Sequence, residues 1–210
     1  MRGKCKTMTR HFGALFSAVA TFTAAALPTA AYAFDWYGGA SVGNNRYEVS
    51  GGDYFPNQTF VGSVDGNDGA WKAYIGMRLF EKYVCAEFGY VDFGTASAKG
   101  TVSGTPVTAT SDTTAYTAAL VGFIPVGKTF DAMIKLGFAA PYADITTTKA
   151  GVSTTEHNTD LKFYGGLGAQ MNFTEKFAAR LEYERFVQGS DGPPYANVLS
   201  VGFTYLFYTE

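Results

Sequence analysis

The last strand-like stretch, Asn197 to Phe207, limits what this chain can fold into more than any other. Leu199, Val201, Phe203, Tyr205 and Phe207 fall on one side of a two-residue alternation, and Ser200, Gly202, Thr204 and Leu206 on the other. Successive side chains of a strand point to opposite faces, so the stretch spells a β-strand with one apolar face and one small or polar face. Two aromatics close the apolar face, as suits a membrane–water interface. A fold in water would bury that face under a second layer, and almost nothing in the chain is left to build one. A closed barrel in lipid needs no second layer, because lipid covers the apolar face and closure pairs every backbone group.

The first 33 residues read differently. Arg2, Lys4, Lys6 and Arg10 precede an apolar run from Phe12 to Leu27, Pro28 breaks it, and Ala31-Tyr32-Ala33 forms an A-x-A site. This is the pattern of a secretory signal peptide cleaved before Phe34. The run is short for a membrane-spanning anchor. Cys5 lies ahead of it and is expected to be removed, which leaves Cys85 as the one mature cysteine and rules out an intramolecular disulfide and multi-cysteine zinc sites.

The leader carries four of the 16 Lys+Arg and none of the 18 Asp+Glu, so the mature chain stands at a net charge of −6. Nucleic acid calls for a basic surface and is excluded as a partner. Mean hydropathy is near zero, as expected where every second strand residue faces lipid and the connections are polar. Aromatics make up 16% of the chain and glycine 25 positions, which suits interfacial girdles and a narrow lumen.

The same alternation predicts seven further strands: Phe34–Gly43, Ala70–Phe80, Tyr83–Val91, Thr113–Ile124, Asp131–Asp144, Leu161–Asn172 and Phe177–Phe186. In the fourth of these, Thr117, Ala119, Val121 and Phe123 are assigned to the outward face. Pro141 lacks an N–H, so a bulge or the barrel rim is expected there. Residues 44–69, 93–112, 145–160 and 187–195 read as polar loops, alternating with the tight turns Glu81-Lys82, Pro125 to Lys128 and Thr174 to Lys176. Long connections alternating with short ones predict an eight-stranded antiparallel up-and-down transmembrane β-barrel over residues 34–210, with the long loops outside and both termini periplasmic. A soluble eight-stranded barrel would instead point its apolar face inward.

Four segments also resemble the transmembrane domain of OmpA-type outer membrane proteins: Trp36-Tyr37-Gly38-Gly39-Ala40, Glu87-Phe88-Gly89-Tyr90, Ala179-Arg180-Leu181-Glu182-Tyr183 and Leu199-Ser200-Val201-Gly202. The pattern Ser200-x-Gly202-x-x-Tyr205-x-Phe207 is similar to the C-terminal signal read by the outer-membrane assembly machinery, although Tyr208-Thr209-Glu210 trail past it. Many members carry a second, periplasmic peptidoglycan-binding domain, which this chain is expected to lack. The resemblance implies a small barrel of the Gram-negative outer membrane, among lipids that include lipopolysaccharide, with structural, surface-contact or weak channel roles.

The candidate chemistry lies inside. The resemblance implies an ion pair between Glu87 and Arg180, with Lys135, Glu182 and Gln170 nearby. The two readings are a gate whose pair changes partners and a lumen filled by paired charges, since an unpaired buried charge is costly. The positions of the family's alternative partners are Leu120 and Gln170 here, both uncharged. An enzyme acting on lipid acyl chains would need a His beside a nucleophile and a carboxylate, and the mature chain has only His157, in a Thr-rich stretch. A general porin wants more strands, so the channel alternative is a narrow one for small solutes or ions. No cofactor or metal site is expected. A host or cell-surface ligand would meet the outer loops, with Tyr47, Tyr54, Phe55 and Phe60 of the first loop as its contact candidates.

Overall fold

The computed structural model describes residues 35–48, 55, 58–80, 83–159, 161–187 and 196–207. The expected cleavage site at Ala31, Ala33 and Phe34, the Glu81-Lys82 turn and Tyr54 lie outside these residues. Among the described residues there are ten strands: β1 (Trp36–Tyr47), β2 (Phe60–Asp65), β3 (Asn67–Phe80), β4 (Val84–Val102), β5 (Thr105–Val126), β6 (Phe130–Lys149), β7 (Val152–Thr159), β8 (Lys162–Asn172), β9 (Phe177–Phe186) and β10 (Ala196–Phe207). Eight of them close a ring in the order β1-β3-β4-β5-β6-β8-β9-β10 and back to β1. Every pairing is antiparallel, and closure is direct: Ala40 of β1 stands opposite Ala73 of β3 on one side and Phe203 of β10 on the other.

The alternation of β10 sorts as its composition demands. Leu199, Val201, Phe203 and Phe207 are exposed, while Ser200, Thr204 and Leu206 are buried in the lumen. Ile75, Phe88, Leu136, Leu181 and Phe138 continue the exposed apolar band around the ring. One aromatic girdle crosses four strands, Trp71 to Tyr90 to Tyr116 to Tyr142, with ring centroids 5.3, 5.5 and 5.9 Å apart. At the other end Tyr205 meets Phe177 at a tilt and Phe207 edge-on, with ring centroids 4.8 and 5.1 Å apart. An apolar band between two aromatic girdles is how a barrel meets a bilayer.

Strand β5 corrects one expectation. Ala119 and Val121 are buried and Phe123 packs on the inner cluster, whereas Tyr116, Leu120 and Ile124 face outward. Both of its faces are small or apolar, so alternation alone does not choose between them. The neighbouring strand chooses: Leu120 sits opposite Leu136, and Ala118 opposite Phe138, on the lipid side of β6.

The polar stretches are a second correction. Residues 93–112 are strand except for a two-residue turn, Ser103-Gly104, and residues 145–160 contain the end of β6, the turn Ala150-Gly151 and β7. All four turn residues have positive φ, from 50° to 83°, the geometry of a tight hairpin turn that keeps strand twist. Residues 44–69 contain the end of β1, all of β2 and the start of β3. The result is a five-stranded sheet, β2-β4-β5-β6-β7, standing beyond the upper girdle. Its inner face carries Ala98, Val102, Val107 and Ala109 against Phe55 and Phe60. Pro141 produces no register shift against β5; it lies where β6 changes its other partner, between Ala139, paired with β8, and Tyr142, paired with β7. A residue without an N–H fits that break.

Candidate functional site: a charged plug in the lumen

Inward positions of four strands bring six charges together: Lys72 from β3, Glu87 from β4, Lys135 from β6, and Arg180, Glu182 and Glu184 from β9. All six side chains are at most 5% exposed. Lys135 Nζ lies 2.6 Å from Glu87 Oε1, 3.0 Å from Glu182 Oε2 and 3.1 Å from Glu184 Oε1. Arg180 Nη1 lies 2.8 Å from Glu87 Oε2 and 3.2 Å from Glu182 Oε1. Lys72 bridges Glu182 and Glu184, the latter at 2.5 Å. Three cations and three carboxylates thus form one neutral cluster, in which each charge has at least two partners of opposite sign. Neutrality and multiple bonding are the conditions under which charge can be held away from water.

Neighbouring side chains fix the cluster. Tyr37 donates its hydroxyl to Glu87 Oε2 at 3.1 Å. The Arg180 guanidinium lies over the Tyr74 ring at 4.7 Å and the Tyr37 ring at 5.4 Å, a cation–π geometry. These two tyrosines need glycine across the ladder. Tyr37 pairs with Gly76 and Tyr74 with Gly39, and a Cβ on Gly76 or Gly39 would stand 2.0 or 2.5 Å from the facing ring. Gln170 Oε1 accepts from Arg180 at 3.2 Å, and its amide donates to Asn172, which donates to Asp131 at 2.7 Å. That chain leads from the cluster to the lower mouth, a cavity of about 600 Å³ that reaches inward to Tyr37, Cys85 and Arg180. Above the cluster Tyr164 stacks on Phe186 at 4.7 Å, and Phe93 meets Phe186 edge-on at 4.8 Å. The lumen is therefore filled by three layers, apolar, charged and aromatic.

Glu87, Arg180, Lys135, Glu182 and Gln170, singled out from the sequence, all meet in this cluster. Lys72 and Glu184 were missed, although their place on the inward faces of β3 and β9 was already written in the alternation. Leu120 faces lipid rather than the lumen, so it is no partner position. The charged alternatives for the Glu87–Arg180 pair are Lys135 and Glu182. Ser200 and Gly202 are buried on the inner face of β10, and Tyr205 and Phe207 meet edge-on on its lipid side. Tyr47 and Phe55 are buried, which removes these two as surface contacts, and the partly buried Phe60 stacks on Phe55 at 5.4 Å. His157 stands opposite Asp144 in the β6–β7 register.

A closed eight-stranded ring, an apolar band between aromatic girdles and a charge-filled lumen define an integral outer-membrane β-barrel. Residues 14–207 match the family described as outer membrane protein beta-barrel domain, and the chain belongs to that family. It resides in the outer membrane. No protein of curated function matches it in sequence. Among solved structures, OprG from Pseudomonas aeruginosa is similar over 84% of this chain and 97% of its own, at 14% identity and a TM-score of 0.58. The N-terminal barrel of Pseudomonas aeruginosa OprF is similar over 82% and 97%, at 12% identity and a TM-score of 0.52. Ail, the attachment invasion locus protein of Yersinia pestis, is similar over 83% and 97%, at 14% identity and a TM-score of 0.50.

Proposed function

We propose that this protein is a plugged, non-catalytic barrel that strengthens the outer membrane and makes surface contacts through the sheet that β2, β4, β5, β6 and β7 raise beyond the upper girdle. The observation that supports this reading is the neutral cluster of six buried charges under an aromatic layer, which leaves a solute no open path. In this reading the raised sheet faces outside and meets any host or cell-surface ligand. The turns at Gly127 and Glu175 face the periplasm, the leader through Ala33 is removed, and the assembly machinery reads β10.

Two measurements test it. Purified protein in planar bilayers should give no sustained large-solute conductance; steady conductance of that kind overturns the plug. In a Cys85→Ser background, Ser103→Cys at the β4–β5 turn should be labelled on intact cells and Glu175→Cys should not. Labelling of Glu175→Cys alone reverses the orientation.

A narrow channel for small ions is the second reading. The lower cavity supports it, because it extends inward as far as Arg180 from one side, so that rearrangement of the charged and aromatic layers alone would complete a path.

A further inference from the structure

The raised sheet ends in an unguarded edge. Among the described residues β7 pairs with β6 alone, over its 8 residues, and the register from Tyr142–Thr159 to Lys149–Val152 runs without a shift. Such an edge offers a row of unpaired N–H and C=O groups, and strands that must not associate blunt it with lysine, proline, a bulge or a cover. Strand β7 contains no Lys, Arg or Pro, and Val152, Ser153, Thr154 and Thr155 are exposed although they alternate between the two faces. The opposite edge, β2, is shorter, at 6 residues, and its Phe60 packs into the inner cluster with Phe55.

The register decides which backbone groups are open. Ala150-Gly151 is a two-residue turn with φ of 50° and 83°, so Lys149 and Val152 are the bonded pair that closes the hairpin. Bonded and non-bonded pairs alternate from there. Thr148–Ser153 and Thr146–Thr155 are then non-bonded pairs, the kind whose side chains stand closer, and their hydroxyls meet at 2.8 and 3.2 Å. In a non-bonded pair the N–H and C=O turn away from the partner strand. Ser153, Thr155 and, two residues further, His157 therefore present their backbone groups to the open edge.

We propose that this edge pairs antiparallel with the same edge of a second copy of the chain, held in a facing membrane. The direction follows from the topology. Strand β6 rises from the Gly127 turn to Lys149, and β7 returns to Thr159, opposite Tyr142 of the upper girdle. Antiparallel pairing, the more stable kind, needs a partner strand that runs away from this membrane. A copy in the same membrane has its β7 running the same way, and a copy in an opposed membrane has it reversed. Two-fold symmetry makes the contact self-complementary. A register centred on Thr155 sets Thr155 against its own copy and Ser153 against His157 of the second copy, each pair exchanging both N–H···O bonds. A register centred on Glu156 would set like charges directly opposite, which is unfavourable. Both edges are already formed, so neither copy bears the ordering cost of a free peptide. One edge is a small contact, and many barrels across two membranes multiply it. The inference rests on the raised sheet being the contact face proposed above, and names its partner.

The test uses two populations of phospholipid vesicles carrying the folded barrel and different fluorophores, with clustering read by fluorescence cross-correlation. Wild-type vesicles should cluster with each other and not with protein-free vesicles. Thr155→Pro removes an N–H that points away from β6, where an edge strand tolerates proline. Its clustering should fall by about tenfold, the scale of two lost hydrogen bonds, while heat-modifiable migration verifies its fold. Thr155→Lys vesicles should not cluster among themselves, because the two-fold sets the lysines opposite each other, yet they should cluster with Thr155→Glu vesicles. Undiminished clustering of folded Thr155→Pro overturns the edge pairing. Equal clustering of wild-type and protein-free vesicles overturns it as well, in favour of a lipid contact. Absence of wild-type clustering while Ser103→Cys is labelled on intact cells overturns the second copy as partner and leaves the surface role standing. Labelling of Glu175→Cys alone overturns instead the orientation on which both rest.

Discussion

Lys72 Nζ lies 2.5 Å from Glu184 Oε2, across 112 residues of sequence and between strands that are not neighbours in the ring. The bond crosses the lumen, so it reports on the barrel as a closed object rather than on any one hairpin. Lys72→Met should cost up to about 3–5 kcal/mol, the range for breaking a buried pair, reduced to the extent that Lys135 holds Glu184. Lys72→Met with Glu184→Gln should cost less than the sum of the single changes by ~0.5–3 kcal/mol. Urea unfolding in lipid vesicles measures all three variants, and strict additivity contradicts the coupling.

Gly76 supports the cluster from behind, by leaving room for Tyr37. Alanine in place of an interior-strand glycine ordinarily helps, since glycine weakens strands. Here the sign reverses: the new methyl would stand 2.0 Å from the Tyr37 ring. Gly76→Ala should destabilise by about 1–3 kcal/mol, as overpacking does, and Tyr37→Ala added to it should recover part of that loss. A stabilised Gly76→Ala would refute the packing described for the two residues.

Beyond the girdle, Asp68 accepts backbone N–H bonds from Thr95 and Gly69, each at 2.7 Å. These bonds, Thr95 first, hold its carboxyl below the ordinary carboxylate value. A lowered folded-state value means that its stabilisation is present above the unfolded pKa, about 3.9, and is lost as pH falls through the folded one. The amide protection factor of Thr95 should therefore fall in acid, and in Asp68→Asn it should be low and independent of pH. Equal pH profiles in both proteins count against the role of Asp68.

Tyr205 and Phe207 form the lower girdle with Phe177 and end the strand that closes the ring. Tyr205→Ala with Phe207→Ala should reduce heat-modifiable folded protein in the outer membrane several-fold. Unchanged levels contradict a part for these rings in assembly.

How much of this could be read from the sequence depended on contrast between faces. Strands with charge or bulk on one side were legible: β3 sets Lys72 and Tyr74 against Trp71 and Ile75, and β9 sets Arg180 and Glu182 against Leu181 and Tyr183. Strand β5 was not, because Ala118 and Ala119, or Leu120 and Val121, differ too little, and the partner strand decides. The raised sheet was hidden by composition. Its Thr and Ser counted as polar, yet Thr is β-branched and suits strands, and Thr146 and Thr148 hydrogen-bond across to Thr155 and Ser153 at 3.2 and 2.8 Å. The Ser103-Gly104 turn was a readable hairpin signal between Val102 and Val107. For the charge cluster, the alternation showed which side chains point inward; ring order and register decide which of them meet.

The distribution of the six charges along the chain has a consequence for assembly. Lys72, Glu87 and Lys135 enter with β3, β4 and β6 and carry a net +1; Arg180, Glu182 and Glu184 all arrive on β9 and carry a net −1. A sheet that lacks β9 holds two lysines and one glutamate in a half-built interior. Burying that excess charge is costly, and docking β9 removes the cost in one step. Charge balance inside the barrel therefore waits on β9: without that strand the interior charges of the cluster sum to +1, and with it they sum to zero.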